Sequence, residues 1–201
     1  GTIKKTRLEA YSRPRQNGVN AIVIREGDQL IEASLTSGKA EVMIAAREGK
    51  AIRFNESTVR PIGRVGAGVR GISLDEGDEV VGMICVEPAS GQDVLVLSEN
   101  GYGKRTDVSE FRVQSRGGKG IMAMRLTERT GLMAAQLLVH EDEDIMLITD
   151  DGTIIRMPVS DISTIGRVSQ GVRVMRVEEG SHIVCVTATE RDEDEEEASE
   201  A

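Results

Sequence analysis

The chain has 201 residues, of which 39% are hydrophobic but only 2% aromatic, and tryptophan is absent. The formal net charge is −9, but residues 190–201 alone carry eight acids and one arginine, which leaves 26 acids and 24 bases in residues 1–189. The sequence contains no signal peptide, no apolar run long enough to span a membrane and no P-loop, GxSxG or HExxH motif, so we expect a cytoplasmic protein without membrane contact, catalytic residues, metal or cofactor.

Residues 1–37 introduce three sequence marks that recur along the chain. A glycine turn opens a basic strand (GTIKKT), a glycine loop opens an apolar strand (NGVNAIVI), and an acidic turn opens another apolar strand (EGDQLIEASL). The unit begins at the turn glycine itself. We therefore expect a partial unit, at the C-terminal end of a longer repeat array, whose preceding strand is missing from this sequence.

Residues 38–89 form the first complete unit. Four short Val- and Ile-rich runs, bounded by Gly, Asp and Asn, predict antiparallel strands at 41–46, 50–55, 69–74 and 79–86. The dipeptide Glu48-Gly49 favours a tight hairpin, because glycine accepts the positive φ that such a turn needs. No segment shows a helical apolar stripe over ten residues.

Two further units follow at residues 90–140 and 141–189. The turn marks lie 48, 52 and 51 residues apart and the glycine loops 50, 52 and 51 apart. Four-stranded units of this size that cannot bury their own faces predict an all-β propeller-like array of about four blades. We expect the last strand at 182–188 and, beyond it, an acidic disordered tail at 190–201.

Basic residues recur at equivalent places in these units. The strand series follows each hairpin turn, and the loop series lies in or beside the glycine loops. In a circular array, equivalent positions project at one height on successive blades, so both series predict a curved basic track for phosphates. The strand series is Lys4, Lys5, Arg53, Lys104, Arg105 and Arg156; the loop series is Arg13, Arg15, Arg60, Arg64, Arg70, Arg112, Arg116, Lys119, Arg167 and Arg173.

The glycine loop of the third unit adds backbone donors to this track. Successive N–H groups near Gly117 and Gly118 can form an anion-binding nest, and the missing Cβ atoms let a phosphate approach closely. Binding of this kind is largely independent of base sequence. For any single lysine or arginine, the plainer interpretation is a solvated residue beside a turn.

Several of these runs resemble the C-terminal domain of the DNA gyrase A family. The similarity covers residues 1–188 and includes TSGKAEVMIAAREGKAIRF, RGGKGIMAMRLTERTGLM and DIMLITDDGTIIRMPVSDISTIGRVSQGVRVMR. It implies a β-pinwheel of four-stranded antiparallel blades, about four of an expected six. The family's heptapeptide QRRGGKG has its nearest match in QSRGGKG at 114–120, where Ser115 replaces an arginine, which implies a later-blade counterpart of that motif.

The resemblance also implies a function. It predicts a non-catalytic module that binds and wraps double-stranded DNA, works with the remainder of the gyrase A protein and the gyrase ATPase subunit in a heterotetramer, and so supports ATP-dependent negative supercoiling. The equivalent domain of topoisomerase IV is one alternative. A propeller that binds proteins is another, although the low aromatic content disfavours it, and a propeller hydrolase lacks a repeated inward acid.

The remaining residues with possible chemistry receive structural interpretations. We expect Cys85 and Cys185 to be buried free thiols, and residues 141–144 to be an acidic loop between blades. His140 and His182 have no metal-ligand spacing. Tyr11 and Tyr102 are predicted to lie at the surface, because the resemblance places the DNA-cleaving tyrosine of such enzymes in a region that this sequence lacks.

Overall fold

A computed structural model of the protein describes residues 1–191 and consists almost entirely of short β-strands. Four 3₁₀ helices, Leu8–Tyr11, Glu56–Thr58, Val108–Glu110 and Val159–Asp161, complete it. The strands are β1 (Thr2–Ile3), β2 (Glu41–Ala46), β3 (Lys50–Asn55), β4 (Val69–Arg70), β5 (Val80–Val86), β6 (Asp93–Ser98), β7 (Tyr102–Asp107), β8 (Ile121–Met122), β9 (Met133–Val139), β10 (Glu143–Thr149), β11 (Ile154–Pro158), β12 (Val172–Arg173) and β13 (Ile183–Glu190).

Each blade is built on a hairpin whose first strand also pairs with the last long strand of the same unit. In the blade of unit two, β2 pairs antiparallel with both β3 and β5. In unit three, β6 pairs with β7 and β9 in the same way, and in unit four β10 pairs with β11 and β13. The expected hairpin at 41–55 is therefore confirmed with its predicted strand boundaries.

Neighbouring blades exchange their outermost strands. The sheet orders are β5-β2-β3-β8 and β9-β6-β7-β12, so the fourth strand of each sheet comes from the following unit. The strand β4 likewise pairs with β1 of the first unit. This exchange is the pinwheel arrangement, and it makes each blade that receives a strand depend on the following unit; the sheet β11-β10-β13 has no exchanged strand.

The exchanged strands are shorter than the sequence predicts, because each ends on a turn glycine of the preceding blade. The N–H groups of Gly71 and Ile72 both point at the carbonyl oxygen of Gly1, at 2.9 and 3.4 Å. The same pair of hydrogen bonds joins Ala123 and Met124 to Gly49. The chain therefore leaves the sheet after two residues, and the strand expected at 69–74 is reduced to β4.

The apolar core lies between blades as well as inside them. One cluster joins Met43 of β2 to Val96 of β6 and Met133 of β9. A second joins Leu95 of β6 to Leu147 of β10. Because each interior is shared by adjacent sheets, stacking of units, rather than any one unit, buries the Val, Ile, Leu and Met side chains.

The two later strands expected in the first unit do not form. Residues 12–37 contain no strand in the described structure, and Leu30 and Leu35 are exposed. In the later units, the equivalent of this segment pairs with the strand that precedes the hairpin turn. In the described structure, residues 12–37 of the first unit have no such pairing.

Three smaller outcomes concern the end of the chain and the cysteines. The last strand reaches Glu190, two residues beyond the predicted end, and residues 192–201 of the expected acidic tail lie outside the described residues. Both cysteines are free, but Cys185 is exposed and Cys85 is only partly buried, so the expectation of buried thiols is wrong for Cys185.

No helix in residues 1–191 is long and apolar enough to cross a membrane.

Candidate nucleic-acid interface

The strand series lies at the boundaries between blades. Arg53 Nη1 donates hydrogen bonds to the carbonyl oxygens of Val108, at 2.7 Å, and Phe111, at 2.9 Å, which bracket the 3₁₀ turn of the next blade. Arg105 repeats this contact one unit later, with its Nε 2.7 Å from the carbonyl oxygen of Ile162. These arginines therefore fasten one blade to the next.

The first and last members of the strand series are also engaged. Lys5 Nζ donates to the carbonyl oxygen of Glu56 at 2.9 Å and to its carboxylate at 3.3 Å. Arg156 binds the buried carboxylate of Asp144 at 2.8 Å and the carbonyl oxygen of Glu190 at 2.9 Å. Both side chains therefore use hydrogen-bond donors for contacts within the protein.

Lys104 lies underneath a glycine loop. Its side chain is fully buried, and its Nζ donates to the carbonyl oxygens of Gly166, at 3.0 Å, and Ser169, at 3.1 Å. Burial lowers the pKa of Lys104 from 10.5 to about 8. Lys4 makes the corresponding contact in the first unit, to the carbonyl oxygen of Arg64. Each lysine thus supports the loop from below.

The sequence assigned DNA contact to both series, whereas the structure separates them. Lys104 and Arg105 are buried and already hydrogen-bonded, so they cannot reach a phosphate unless the blades separate. Lys4, Lys5 and Arg53 are half-buried, and Arg156 is exposed but bound to Asp144. DNA contact by the strand series stays a prediction, and we build the candidate interface from the loop series alone.

Three arginines of the loop series make one contact in three successive units. Each guanidinium donates to a main-chain carbonyl oxygen of the preceding unit. In two cases the acceptor lies in an exchanged strand, and in the first unit it is the corresponding residue of the segment without strands. The contacts link each glycine loop to the one before it, so the loops form a continuous rim. They are Arg64 to Asn20 (2.9 Å), Arg116 to Arg70 (2.5 Å) and Arg167 to Met122.

The loop at 114–120 is anchored by its backbone. The N–H of Gly117 donates to the carbonyl oxygen of Gly71 at 2.8 Å, and the N–H of Ser73 donates to that of Gly118 at 2.9 Å. Ser73 Oγ also donates to the carbonyl oxygen of Gly117 at 2.7 Å. The carbonyl groups therefore turn inward onto the neighbouring unit, while Gly118 and Lys119 remain exposed.

The glycines of this loop have different structural duties. Gly120 has φ +74°, and a Cβ there would lie 2.5 Å from the carbonyl oxygen of Ala51. Gly118 has no positive φ, and its nearest neighbour to such a Cβ would be 3.6 Å away. Gly120 is thus required by the fold, whereas nothing in the packing demands glycine at position 118.

A small charge cluster borders the same loop. Asp75 accepts hydrogen bonds from Lys119 at 2.6 Å and from Lys50 at 2.5 Å. These two ammonium groups lower the pKa of Asp75 to about 2, so it remains ionised at neutral pH. Lys119 is nevertheless 68% exposed. Asp75 holds the lysine beside the loop and offsets part of its positive charge.

The loop series is mostly accessible to a ligand. Arg64, Arg116 and Arg167 are half-buried by their carbonyl contacts. Arg13 and Arg15 lie in the segment without strands. Residues 1–191 contain no group of three or more His, Cys, Asp or Glu side chains that could hold a metal. The exposed members of the series are Arg13, Arg15, Arg60, Arg70, Arg112, Lys119 and Arg173.

Comparison with known proteins places this architecture in a family. The model of the DNA gyrase C-terminal domain, a beta-propeller, matches residues 1–37, 40–87, 92–135 and 143–188. The chain belongs to the DNA gyrase C-terminal domain family. The four matched segments follow the four repeat units.

Longer relatives support this assignment. The DNA gyrase A protein of Staphylococcus epidermidis is 47% identical over 194 residues, which is 96% of this chain and 22% of the relative. The DNA gyrase A protein of Staphylococcus aureus is 46% identical over 200 residues, which is 100% of the chain and 23% of the relative. The chain thus spans less than a quarter of these relatives' length.

Solved structures share the fold. The C-terminal domain of DNA topoisomerase IV superposes with a TM-score of 0.88 at 28% identity, covering 100% of this chain and 62% of that one. The DNA gyrase A C-terminal domain superposes with a TM-score of 0.78 at 28% identity, covering 86% of this chain and 58% of that one.

Within this gyrase-family domain, Tyr102 and two arginines form a cluster that the sequence did not predict. The sequence predicts Tyr102 at the surface, but the residue is only 5% exposed. Its hydroxyl oxygen accepts hydrogen bonds from Arg129 Nε at 2.6 Å and from Arg173 Nη2 at 2.9 Å. The turn sequence Glu128-Arg129, which stands where unit two has Glu76-Gly77, was the available signal.

Proposed function

We propose that this domain binds duplex DNA along the rim formed by the glycine loops and bends the duplex around the blades. The observation that carries this proposal is the repeated arginine contact that joins the loops of successive units. The contact repeats at equivalent positions of successive units, and a curved row of basic side chains at such positions would suit the phosphates of a bent duplex.

The rim favours phosphates over base edges. Arginine can hold a phosphate through two parallel hydrogen bonds, and the exposed Gly118-Lys119 segment offers backbone close to solvent. Such contacts carry no direct base readout. Binding should therefore tolerate any base sequence, favour duplexes that bend easily, and weaken steeply with salt.

In the whole protein, the domain would present a wrapped DNA segment for strand passage. Its partners would be the rest of the gyrase A protein and the gyrase ATPase subunit, and its contribution would be to ATP-dependent negative supercoiling. The 46–47% identity to gyrase A proteins over nearly the whole chain supports this assignment.

The equivalent role in topoisomerase IV is the second candidate, because the topoisomerase IV domain superposes over the entire chain. A domain exchange separates the two roles. This domain would replace the corresponding residues of a gyrase A protein, and the reconstituted enzyme would be assayed with ATP. Negative supercoiling supports the gyrase role; ATP-dependent relaxation and decatenation without supercoiling supports the topoisomerase IV role.

Binding of the domain to duplexes of increasing length, across a salt series, tests the proposal directly. If 6–10 phosphates are engaged, affinity should fall about 10³- to 10⁵-fold between 50 and 200 mM salt. Affinity should also rise with length until the rim is filled. An affinity that ignores duplex length would refute wrapping, and no binding at low salt would refute the DNA interface.

A further inference from the structure

Tyr102 stands at the centre of an arginine cluster next to the exchanged strand β12. It is the first residue of β7 and pairs with Arg173 of the exchanged strand β12. Its hydroxyl oxygen accepts from Arg173 Nη2 at 2.9 Å and Nε at 3.3 Å, and from Arg129 Nε at 2.6 Å. Two guanidinium groups from different elements therefore converge on one phenol oxygen.

Both guanidinium groups also lie over the same aromatic ring. Arg129 is 5.0 Å and Arg173 is 5.6 Å from the ring centroid of Tyr102, within the range of a cation–π contact. The two contacts hold both guanidinium groups against Tyr102. Arg176 joins them in lining a cavity of about 500 Å³ that opens beside the ring.

The cluster has an unbalanced positive charge. Among residues 1–191, no salt bridge joins Arg129, Arg173 or Arg176 to a carboxylate; Glu178 lines the same cavity without pairing with any of them. Two cations held against the same phenol repel each other unless an anion lies between them. An exogenous anion would relieve that repulsion.

In the preceding blade, a carboxylate neutralises the positive charge at the equivalent position. Lys50 occupies the place of Tyr102 after the turn glycine, and there Asp75 bridges Lys50 and Lys119 at 2.5 and 2.6 Å. Within the described part of the chain, the Tyr102 cluster has no counterpart to Asp75. A ligand with two or more anionic oxygens could take the place that Asp75 fills one blade earlier.

We propose that Arg129, Arg173 and the Tyr102 hydroxyl bind a phosphate group of the DNA backbone, which extends the rim beyond the glycine loops. The inference rests on the proposed function. Arg173 follows the glycine loop of Arg167 by only six residues, so the pocket continues that loop along β12. The two arginines supply paired N–H donors for two phosphate oxygens.

The tyrosine hydroxyl completes this recognition. Its oxygen is occupied by arginine donors, while its proton has no hydrogen-bond acceptor among the described residues. Tyr102 lines the cavity beside its ring, so a phosphate oxygen that enters this cavity can accept the proton. The hydrogen bonds from Arg173 and then Arg129 lower the pKa of Tyr102. A bound phosphate should raise that pKa, because it disfavours a second negative charge nearby.

The experiment uses Tyr102 as its own reporter. The chain has two tyrosines and no tryptophan, so Tyr11→Phe in the full chain leaves Tyr102 as the only phenol. Its ionisation would be followed by phenolate absorbance, alone, with a short duplex, and with inorganic phosphate. We expect the duplex to raise the pKa of Tyr102, and Arg129→Gln to weaken duplex binding about tenfold and to reduce the salt slope by about 0.9.

Lys39→Gln is the control, because it removes one positive charge from an exposed lysine before β2. It should bind the duplex as the parent does, and Arg129→Lys should lose less than Arg129→Gln if charge matters. Duplex binding without a shift in the Tyr102 pKa, and with Arg129→Gln equal to the parent, would overturn this inference and leave the proposed function intact. If inorganic phosphate raised the pKa of Tyr102 and the duplex did not, the DNA assignment would be overturned. Failure of the parent to bind duplex at low salt would instead reject the proposed function.

Discussion

The Nε of Arg105 lies 2.7 Å from the carbonyl oxygen of Ile162, and the two residues belong to consecutive blades. The arginine side chain is 8% exposed and also faces Asp93, at 3.6 Å, and Glu141, at 3.4 Å. A guanidinium so enclosed contributes to the junction between blades, because its removal leaves carbonyl and carboxylate groups without a donor.

Arg105→Gln should therefore lower the unfolding free energy by about 1.5–3 kcal/mol, measured by urea denaturation. Arg112→Gln, at an exposed position, should change it by no more than about 0.5 kcal/mol. If Arg105→Gln were as stable as the parent but bound DNA more weakly, the inter-blade role would be wrong and the original prediction of DNA contact would gain support.

The two glycines of the 114–120 loop should respond differently to alanine. Gly120→Ala places a Cβ 2.5 Å from the carbonyl oxygen of Ala51 at φ +74°, and should cost about 2 kcal/mol or more. Gly118→Ala has room, so it should leave the stability nearly unchanged while it hinders the approach of a phosphate. Thermal denaturation and duplex binding measured on both variants would show the contrast. Equal destabilisation by the two substitutions would argue against it.

Asp75 should limit DNA affinity. Lys119 and Lys50 lower its pKa to about 2, so at neutral pH it is an anion beside the basic rim. Asp75→Asn should strengthen duplex binding roughly threefold at low salt, with the gain disappearing as salt screens it. Glu76→Gln removes the same charge from a neighbouring residue with no such lysine contacts, and should have a smaller effect. Weaker binding by Asp75→Asn would mean that positioning Lys119 outweighs charge.

Lys104 should give the stability a distinct pH dependence. Burial lowers its pKa from 10.5 to about 8, so between these values the unfolded chain binds more protons than the folded one. The contribution of Lys104 to the unfolding free energy should therefore rise with pH across that window. Urea denaturation at several pH values, compared with Lys104→Met, isolates this contribution. A difference between the two proteins that is flat with pH would contradict the lowered pKa.

Removal of the acidic C-terminal residues should strengthen DNA binding if they compete for the rim. The truncation should start at residue 192, because Arg191 binds Asp144 with its Nε at 3.2 Å. Residues 192–201 carry seven acids and no base, and their removal should raise duplex affinity at low salt. The same affinity with and without them at two salt concentrations would assign them no part in DNA binding.

The repeat allowed much of the fold to be predicted, but it could not assign every repeated cation. The strands β2 and β3 lie where their alternating apolar residues and Gly49 predicted them. Lys104 and Lys119 look alike in sequence, as basic residues next to glycine. The exchange of β8 and β12 between blades covers Lys104 with the loop at 166–169 and leaves Lys119 in solvent. No local pattern encodes that crossing.

The sequence by itself predicted the four-unit all-β repeat, because turn glycines and short apolar runs are local signals that recur roughly every 50 residues. The family followed from the resemblance of those runs to DNA gyrase A sequences. Only the tertiary structure decided which cations face solvent, that residues 12–37 form no strand, and how Tyr102 contacts two arginines. Those outcomes depend on which strand pairs with which across blades. Pairing is a long-range relationship, and a residue's own neighbours in sequence do not specify it.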